Sequence, residues 1–354
     1  MKLTHYLSCL VFVAGIGLLA GHASAQTSDS PYKVLDMTQV MGTGGIDYVY
    51  ADNDGRRVYV PRGTQTYVFD LDTHKLIGAI TNISGHGVAI DSESHHGFSS
   101  SRSGGIGMFD TESMQKIKSI EVQGRPDGIL FEPLTKRVYV FSHEAPNATV
   151  IDPKDGSIVG TIDLGGSPEQ AQSDGQGKLY IDLEDKDSIA VLDVKTLKLI
   201  ATYSLAGKGG GPGGLGLDAK NHILFAMCHD PATCVILSAD DGKILDTLPI
   251  GNGTDGGGFN PNTMEAFSSQ GDGTLTIIKE NSPTSFEVEQ TVQTKAGCKT
   301  SSLDSKNNRI VLICTERMPA TAAAPDAAAG GDQGRGRRGG RNGPGMLDLI
   351  IVGR

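Results

Sequence analysis

Short apolar runs, paired across polar turns, recur along this chain. In residues 188–207, SIAVLDVKTLKLIATYSLAG, an apolar run from Ile189 to Leu192 is followed by a polar turn and by a second run that alternates apolar and polar positions. Two such runs joined by a short turn predict a β-hairpin. The same pattern recurs at residues 68–83, 108–122, 150–165 and 236–251, and more weakly at 276–292. One hairpin cannot bury its own apolar face, so the copies are expected to stack.

Two further strand-like runs precede each hairpin, so the repeating unit has four strands, a to d. Equivalent positions at the end of strand c are spaced by 40, 42, 41, 45 and 41 residues: Asp70, Asp110, Asp152, Asp193, Ser238 and Lys279. Four strands at this period are typical of a β-propeller blade. Residues 42–316 contain blades 1 to 6 and the first strands of blade 7.

The two ends of the chain complete the seventh unit. The N-terminal run Tyr32–Val40 is a strand d without a unit, and the last unit ends with a strand c at residues 346–354. Pairing these two runs leaves no unpaired edge in the ring. The sequence therefore predicts an all-β, seven-bladed β-propeller of four-stranded blades, with the ring closed by the N-terminal strand on the last blade.

Three segments lie outside the blades or interrupt them. Residues 26–41 comprise a polar tail and the closing strand. Residues 317–345 are rich in Ala, Pro, Gly and Arg without an apolar pattern, so we expect a disordered loop inside blade 7. Residues 1–25 have a Lys, an apolar stretch and a small-residue motif, which predict a signal peptide cleaved after Ala25. The apolar stretch is short for a bilayer span. We therefore expect a periplasmic or secreted protein without a membrane span.

Four cysteines remain after the leader, and export permits disulfide bonds. Cys298 and Cys314 are nearly equidistant from the turn at residues 305–308, and Cys228 and Cys234 bracket a second short turn. Residues that face each other across an antiparallel pair can reach disulfide distance. We therefore predict the bonds Cys228–Cys234 and Cys298–Cys314. A metal site is the alternative, but neither CxxC nor CxxCH occurs.

Composition and charge narrow the functional classes. The 48 glycines suit short strands with many tight turns, and the formal net charge of −10 argues against a general nucleic-acid role. Four arginines between glycines at residues 335–341 imitate nucleic-acid-binding RGG segments. In an exported chain we interpret them instead as a flexible cationic loop. We expect a monomer that does not bind nucleic acid.

Several strands also resemble a known repeat family. RVYVPRG (57–63), RVYVFSH (137–143), KLYIDLE (178–184) and the hairpin at 189–207 resemble YVTN-type repeats. The chain is similar to YncE-like, YVTN-family seven-bladed propellers across nearly all of residues 42–354. The resemblance implies the propeller fold and an exported protein, but its motifs encode turns and core. Related propellers include lactonases, a streptogramin lyase and cofactor-carrying domains, so fold alone does not select a function.

The repeat register places polar residues around one opening. In a propeller, the starts of strands a and the ends of strands b converge on one face around the central channel, which we call the ring face. We predict that a ligand binds there through His86, Arg102, Asp127, His143, Glu169, His229, Asp255 and Lys299. The three histidines are candidate metal ligands, since imidazole and carboxylate suit Zn or Mn. A polar channel lining, which any propeller has, is the preferred explanation, and we predict neither a metal nor a cofactor.

These observations favour a binding protein over an enzyme. No nucleophile motif such as GxSxG occurs. We therefore predict a non-catalytic binding or scaffold propeller that presents its ring face to a small molecule or a protein. The alternatives are a lactonase- or lyase-like enzyme with a metal or His/carboxylate site at the channel mouth and, by family analogy, a cofactor-associated propeller in a redox pathway.

Overall fold

The computed structural model describes residues 30–101, 105–145, 147–317 and 344–354. The predicted signal peptide, Arg102 and most of the predicted loop lie outside these residues. Within the described part of the chain, 28 strands form seven four-stranded antiparallel sheets, which confirms the predicted architecture. No helix in these ranges is both long and apolar enough to span a membrane.

Blades 1 to 3 each contain four consecutive strands. Blade 1 comprises β2 (Tyr50–Asp52), β3 (Arg57–Arg62), β4 (Gln65–Asp70) and β5 (Leu76–Thr81). Blade 2 comprises β6 (Val88–Asp91), β7 (His96–Ser100), β8 (Ile106–Asp110) and β9 (Lys116–Ile120). Blade 3 comprises β10 (Pro126–Glu132), β11 (Arg137–Ser142), β12 (Ala148–Ile151) and β13 (Ile158–Ile162).

Blades 4 to 6 repeat the arrangement. Blade 4 comprises β14 (Pro168–Ser173), β15 (Lys178–Leu183), β16 (Ser188–Asp193) and β17 (Lys198–Ser204), with a short 3₁₀ turn, Glu184–Lys186, after β15. Blade 5 comprises β18 (Pro212–Asp218), β19 (Ile223–Cys228), β20 (Thr233–Ser238) and β21 (Ile244–Pro249). Blade 6 comprises β22 (Thr254–Asn260), β23 (Glu265–Gln270), β24 (Thr274–Ser282) and β25 (Ser285–Gln293).

Blade 7 is assembled from both ends of the chain. It comprises β26 (Thr300–Asp304), β27 (Arg309–Arg317), β28 (Pro344–Gly353) and β1 (Lys33–Thr43). The strand order is β26–β27–β28–β1, and β1 pairs antiparallel with β28 from Lys33 opposite Gly353 to Thr43 opposite Pro344. The predicted closure by the N-terminal strand is therefore confirmed.

A buried polar cluster fastens the closing strands to blade 6. Tyr32, which precedes β1, is 4% exposed, and its hydroxyl donates a hydrogen bond to Glu265 at 2.5 Å. The guanidinium of Arg354, which follows β28, pairs with Glu265 and with Glu289 and lies 4.4 Å from the centre of the Tyr32 ring. Arg354 therefore makes a cation–π contact with the Tyr32 ring and an ion pair with the carboxylate that accepts the Tyr32 hydrogen bond. We call Tyr32, Glu265, Glu289 and Arg354 the closure latch.

The cores lie between neighbouring blades. Tyr139 and Phe141 of blade 3 pack against Leu179 and Ile181 of blade 4, and the other blade pairs have equivalent clusters. Strands b and c are buried on both faces because each blade is covered on both sides. The outermost strands d leave one face in solvent, so Ile200 of β17 is 52% exposed. The alternation seen in the second run of each hairpin reflects this single-sided burial.

The two predicted disulfide bonds have different outcomes. Cys298 and Cys314 are bonded, with Cα atoms 4.5 Å apart, as predicted. The predicted Cys228–Cys234 bond is wrong, because both residues are buried free thiols. Cys234 lies opposite Met227 rather than Cys228, and this offset of one residue places the two thiols on opposite faces of the sheet. Cys228 packs between blades 4 and 5, whereas Cys234 packs between blades 5 and 6.

Candidate functional site: a charged ring at the channel mouth

Charged side chains gather at one end of the central channel. They come from the starts of strands a and from the residues that follow strands b, as the repeat register predicts. The set contains Asp47, His86, Asp127, His143, Glu169, Glu184, His229, Asp255 and Lys299, and we call it the channel mouth. All seven blades contribute to it, and the following paragraphs describe the contacts among its members.

The first group alternates carboxylates and imidazoles across blades 1 to 4. Nδ1 of His86 lies 2.5 Å from Oδ2 of Asp47 and 2.7 Å from Oδ1 of Asp127. Nε2 of His143 lies 3.1 Å from Oδ2 of Asp127 and 3.0 Å from Oε1 of Glu169. Asp127 therefore contacts one histidine through each of its oxygens. Four blades are joined in this way by one continuous polar chain.

The charges in this chain stabilise one another. Asp127 and Glu169 raise the pKa of His143 to about 10. Burial opposes the charged form of His86, but Asp127 and Asp47 outweigh it and raise the pKa of that histidine. Burial raises the pKa of Asp127, yet the two histidines outweigh burial and lower it. At neutral pH, His143 is therefore an imidazolium between two carboxylates.

Two further side chains cross the channel just below this group. The hydroxyl of Tyr48, in blade 1, donates a hydrogen bond to Oε2 of Glu169, in blade 4, at 2.8 Å. The side chain of Gln170 donates to the Gly257 carbonyl at 2.8 Å and accepts from the Leu215 amide at 3.0 Å. Blade 4 is thus bonded to blades 1 and 6 across the channel and to its neighbour, blade 5.

A cavity of about 390 Å³ occupies the channel behind the mouth. Tyr48, Glu169 and Gln170 line it together with strand-a residues of blades 1, 2, 3, 4, 6 and 7. Glycines in blades 5 and 6 narrow the ring, because a Cβ on Gly214 would come within 2.8 Å of the Gly256 backbone. The glycines of β18 and β22 therefore allow the close approach of two strands.

The second group lies on the opposite side of the mouth, in blades 5 to 7. Nε2 of His229 lies 3.5 Å from one oxygen of Asp255, and the ammonium of Lys299 pairs with the other. Glu184 connects the two groups electrostatically. Burial and the charge of Glu169 raise the pKa of Glu184, although His229 and His143 both lower it.

The structure divides the predicted ligand-binding residues into these two groups. It brings His86, Asp127, His143 and Glu169 together in the first group, and His229, Asp255 and Lys299 in the second. Arg102 lies outside the described residues. Among the described residues, two sets of three donor atoms lie within 4.8 Å of one another: Asp47, His86 and Asp127, and Asp127, His143 and Glu169. His229 belongs to neither set.

Sequence reasoning missed the residues that cross the channel. Tyr48 and Gln170 each follow a residue of the channel mouth by one position, Asp47 and Glu169 respectively. Successive side chains of a strand point to opposite faces, so a residue next to a mouth position is a candidate for the channel interior. Asp182 was also missed. It is fully buried in β15, and neither carboxyl oxygen has a hydrogen-bond partner among the described residues, so burial and then Glu169 raise its pKa well above the usual range.

No protein-family model matches the chain, and no curated protein matches it. Solved structures are similar in fold. The structure of U3-55K is 12% identical with a TM-score of 0.69, covering 90% of this chain and 99% of that one. The RRP9 WD40 repeats are 12% identical with a TM-score of 0.70, covering 91% and 100%. A chain of the mitotic checkpoint complex is 12% identical with a TM-score of 0.67, covering 85% and 95%. These likenesses show the seven-bladed propeller fold alone.

Proposed function

We propose that this protein is an exported, non-catalytic propeller that binds a polar small molecule or a protein partner at its channel mouth. One observation carries the proposal: charged side chains from all seven blades converge on a single opening. Each blade is packed against its neighbours, so these groups are held in place before a ligand arrives. Binding to such a pre-organised surface costs little ordering entropy.

The mixture of charges at the mouth favours a partner with both donors and acceptors. Nearly every carboxylate there contacts a histidine or a lysine, so an incoming group can exchange with an existing partner without leaving a charge unpaired. The fold neighbours support a scaffold role in the same general sense, since one of them was solved as part of the mitotic checkpoint complex.

Two matched ion pairs test where the partner binds. Lys299 and Asp255 pair at the mouth, and Lys136 and Glu93 pair between blades 2 and 3 at the turns between strands a and b. The wild-type protein, the variant Asp255→Asn/Lys299→Ala and the variant Glu93→Gln/Lys136→Ala are each used to capture ligands from an extract of the source organism. Bound species are identified by mass spectrometry.

We expect the mouth variant alone to lose the species that the wild type captures. Loss from both variants would indicate a general charge effect, and retention by both would place binding elsewhere. Either result would contradict the proposal.

An enzyme of lactonase or lyase type is the second candidate. The observation that favours it is the His143 imidazole between Asp127 and Glu169, an arrangement able to transfer protons. Hydrolysis of simple lactones, assayed with and without added Mn²⁺, separates the candidates. Turnover that Glu169→Gln abolishes would favour the enzyme over the binding protein.

Export and membership of the YVTN family remain part of the proposal. Export is supported by the leader pattern and by the Cys298–Cys314 bond, which is typical of oxidising compartments. Family membership is supported by the repeat sequences and the propeller fold. N-terminal sequencing of the mature protein tests export. A chain starting at Gln26 supports it, and a chain that retains residues 1–25 contradicts it.

A further inference from the structure

Three donor atoms at the channel mouth converge in a way that hydrogen bonding does not explain. Nε2 of His143 lies 3.1 Å from Asp127 and 3.0 Å from Glu169. A ring nitrogen carries at most one proton and can serve only one of these two oxygens. Within the described ranges, this nitrogen is fully buried and makes no well-directed hydrogen bond to either carboxylate. Two negative oxygens thus face one nitrogen, which has at most one proton to share between them.

Both carboxylates are held from behind by other residues. The second oxygen of Asp127 lies 2.7 Å from His86, and the second oxygen of Glu169 accepts the hydrogen bond of Tyr48. Each carboxylate therefore presents one particular oxygen to His143. Outer partners of this kind orient the ligands in metal sites and are needed for full affinity.

We propose that Asp127, His143 and Glu169 bind one divalent transition-metal ion, Zn²⁺ or Mn²⁺, at the channel mouth. This inference rests on the proposed function, because the ion would be a ligand of the same binding site. The ion would replace the proton that His143 holds at neutral pH, and one neutral imidazole with two carboxylates is a donor set that such ions accept. Two carboxylates also balance the charge of a dication. Ca²⁺ is disfavoured because it takes six to eight oxygen ligands.

The distances favour this set over the neighbouring one. Ligands 2.0–2.1 Å from a tetrahedral zinc ion stand about 3.3 Å apart. The contacts of His143 are within a few tenths of an ångström of that separation. The contacts of His86, at 2.5 and 2.7 Å, are shorter and are better explained by a hydrogen bond to Asp47 and an ion pair with Asp127.

Metal binding is tested on the full chain after dialysis against a chelator, with Zn²⁺ or Co²⁺ alone as the probe. Equilibrium dialysis with elemental analysis gives the stoichiometry, and the visible absorption of Co²⁺ reports the coordination. We expect one ion per wild-type chain. Glu169→Gln and His143→Ala each remove a ligand and should weaken binding by at least about 100-fold. His229→Ala is the matched control, because this histidine lies in the same mouth but outside both donor sets. The metal affinity of this variant should equal that of the wild type.

Two results would overturn the assignment. One is wild-type binding no tighter than that of His143→Ala. The other is binding that survives Glu169→Gln but is lost in Asp47→Asn, which would place the ion beside His86. Glu169→Gln is nearly isosteric, and far-UV circular dichroism verifies its fold. The Co²⁺ spectrum of the wild type provides a readout that does not depend on any variant.

The failure of this inference is distinguishable from that of the proposed function. If no metal binds but Asp255→Asn/Lys299→Ala still loses the captured species, only the metal site is refuted. If metal binds but the same double variant captures every species, the metal site stands and the binding proposal fails.

Discussion

Removing one hydroxyl group from the closure latch tests how the ring is held shut. The variant Tyr32→Phe keeps the buried ring and its contact with Arg354 but deletes the hydrogen bond to Glu265. Burial and Glu265 raise the pKa of Tyr32, so the wild-type phenol is a proton donor at every accessible pH. Glu265 is 3% exposed in its side chain and remains buried with one partner fewer.

A hydrogen bond to a charged group contributes about 1.5–3 kcal/mol to stability. We expect Tyr32→Phe to lower the free energy of unfolding by about 2 kcal/mol at pH 7. The unfolding entropy is about 2.1 cal/mol/K per residue, so for a chain of 354 residues the corresponding fall in Tm is roughly 3 °C. Urea unfolding followed by far-UV circular dichroism measures the change, since the chain contains no tryptophan.

Acid should reduce the difference between the two proteins. Burial raises the pKa of Glu265, but the Tyr32 hydroxyl and Arg354 are among the groups that outweigh it, and the net effect lowers that pKa. A carboxylate with a lowered folded-state pKa stabilises the protein above its unfolded value of about 4.3, and the contribution is lost as pH falls through the folded value. The wild type should therefore lose more stability than Tyr32→Phe on acidification below about pH 4.

The matched control is Tyr203→Phe, whose hydroxyl donates at 2.9 Å to the carbonyl of Asp240 at an exposed position. A surface hydrogen bond of this kind should change stability by less than about 0.5 kcal/mol. If Tyr32→Phe costs no more than this control, the latch hydrogen bond does not stabilise the closure and the reasoning is refuted.

Three further predictions concern the interior. Asp182→Val should raise the free energy of unfolding by about 1–3 kcal/mol at pH 7, because it removes two buried carboxyl oxygens that lack hydrogen-bond partners among the described residues. The folded-state pKa of Asp182 is raised, so this gain in stability should grow as the pH increases from about 4. Urea titrations at pH 4 and pH 7 measure it, and no gain at either pH would contradict the prediction. The Cys298–Cys314 bond closes a loop of 16 residues, so its reduction should lower the free energy of unfolding by about 3 kcal/mol. An unchanged midpoint of urea unfolding would show that the bond does not stabilise the fold. A thiol reagent should modify neither Cys228 nor Cys234 in the native protein and both after denaturation; finding no reactive thiol in the denatured, non-reduced chain would restore the disulfide.

The repeat pattern was sufficient to predict the blades and their closure. Strand length, turn chemistry and burial are local properties of each unit, and a period of about 40 residues leaves few other folds that bury every hairpin. The N-terminal strand at Tyr32–Val40 can then pair only with the last strand of blade 7, and the β1–β28 pairing in the structure is this one. The same register placed His86, His143 and His229 at one end of the channel, because position within a blade determines which end of the channel a residue reaches.

Contacts between blades were decided only by the tertiary structure. Tyr48 and Glu169 are 121 residues apart in the chain, and no local pattern encodes a hydrogen bond across the channel. The predicted Cys228–Cys234 bond is wrong for a related reason. A turn that looks symmetrical in the sequence can shift the pairing of its two strands by one residue. That shift reverses which neighbouring blade a side chain faces. Local sequence therefore specified each blade and its order, whereas the partners at the mouth depend on how seven separately formed sheets meet around one axis.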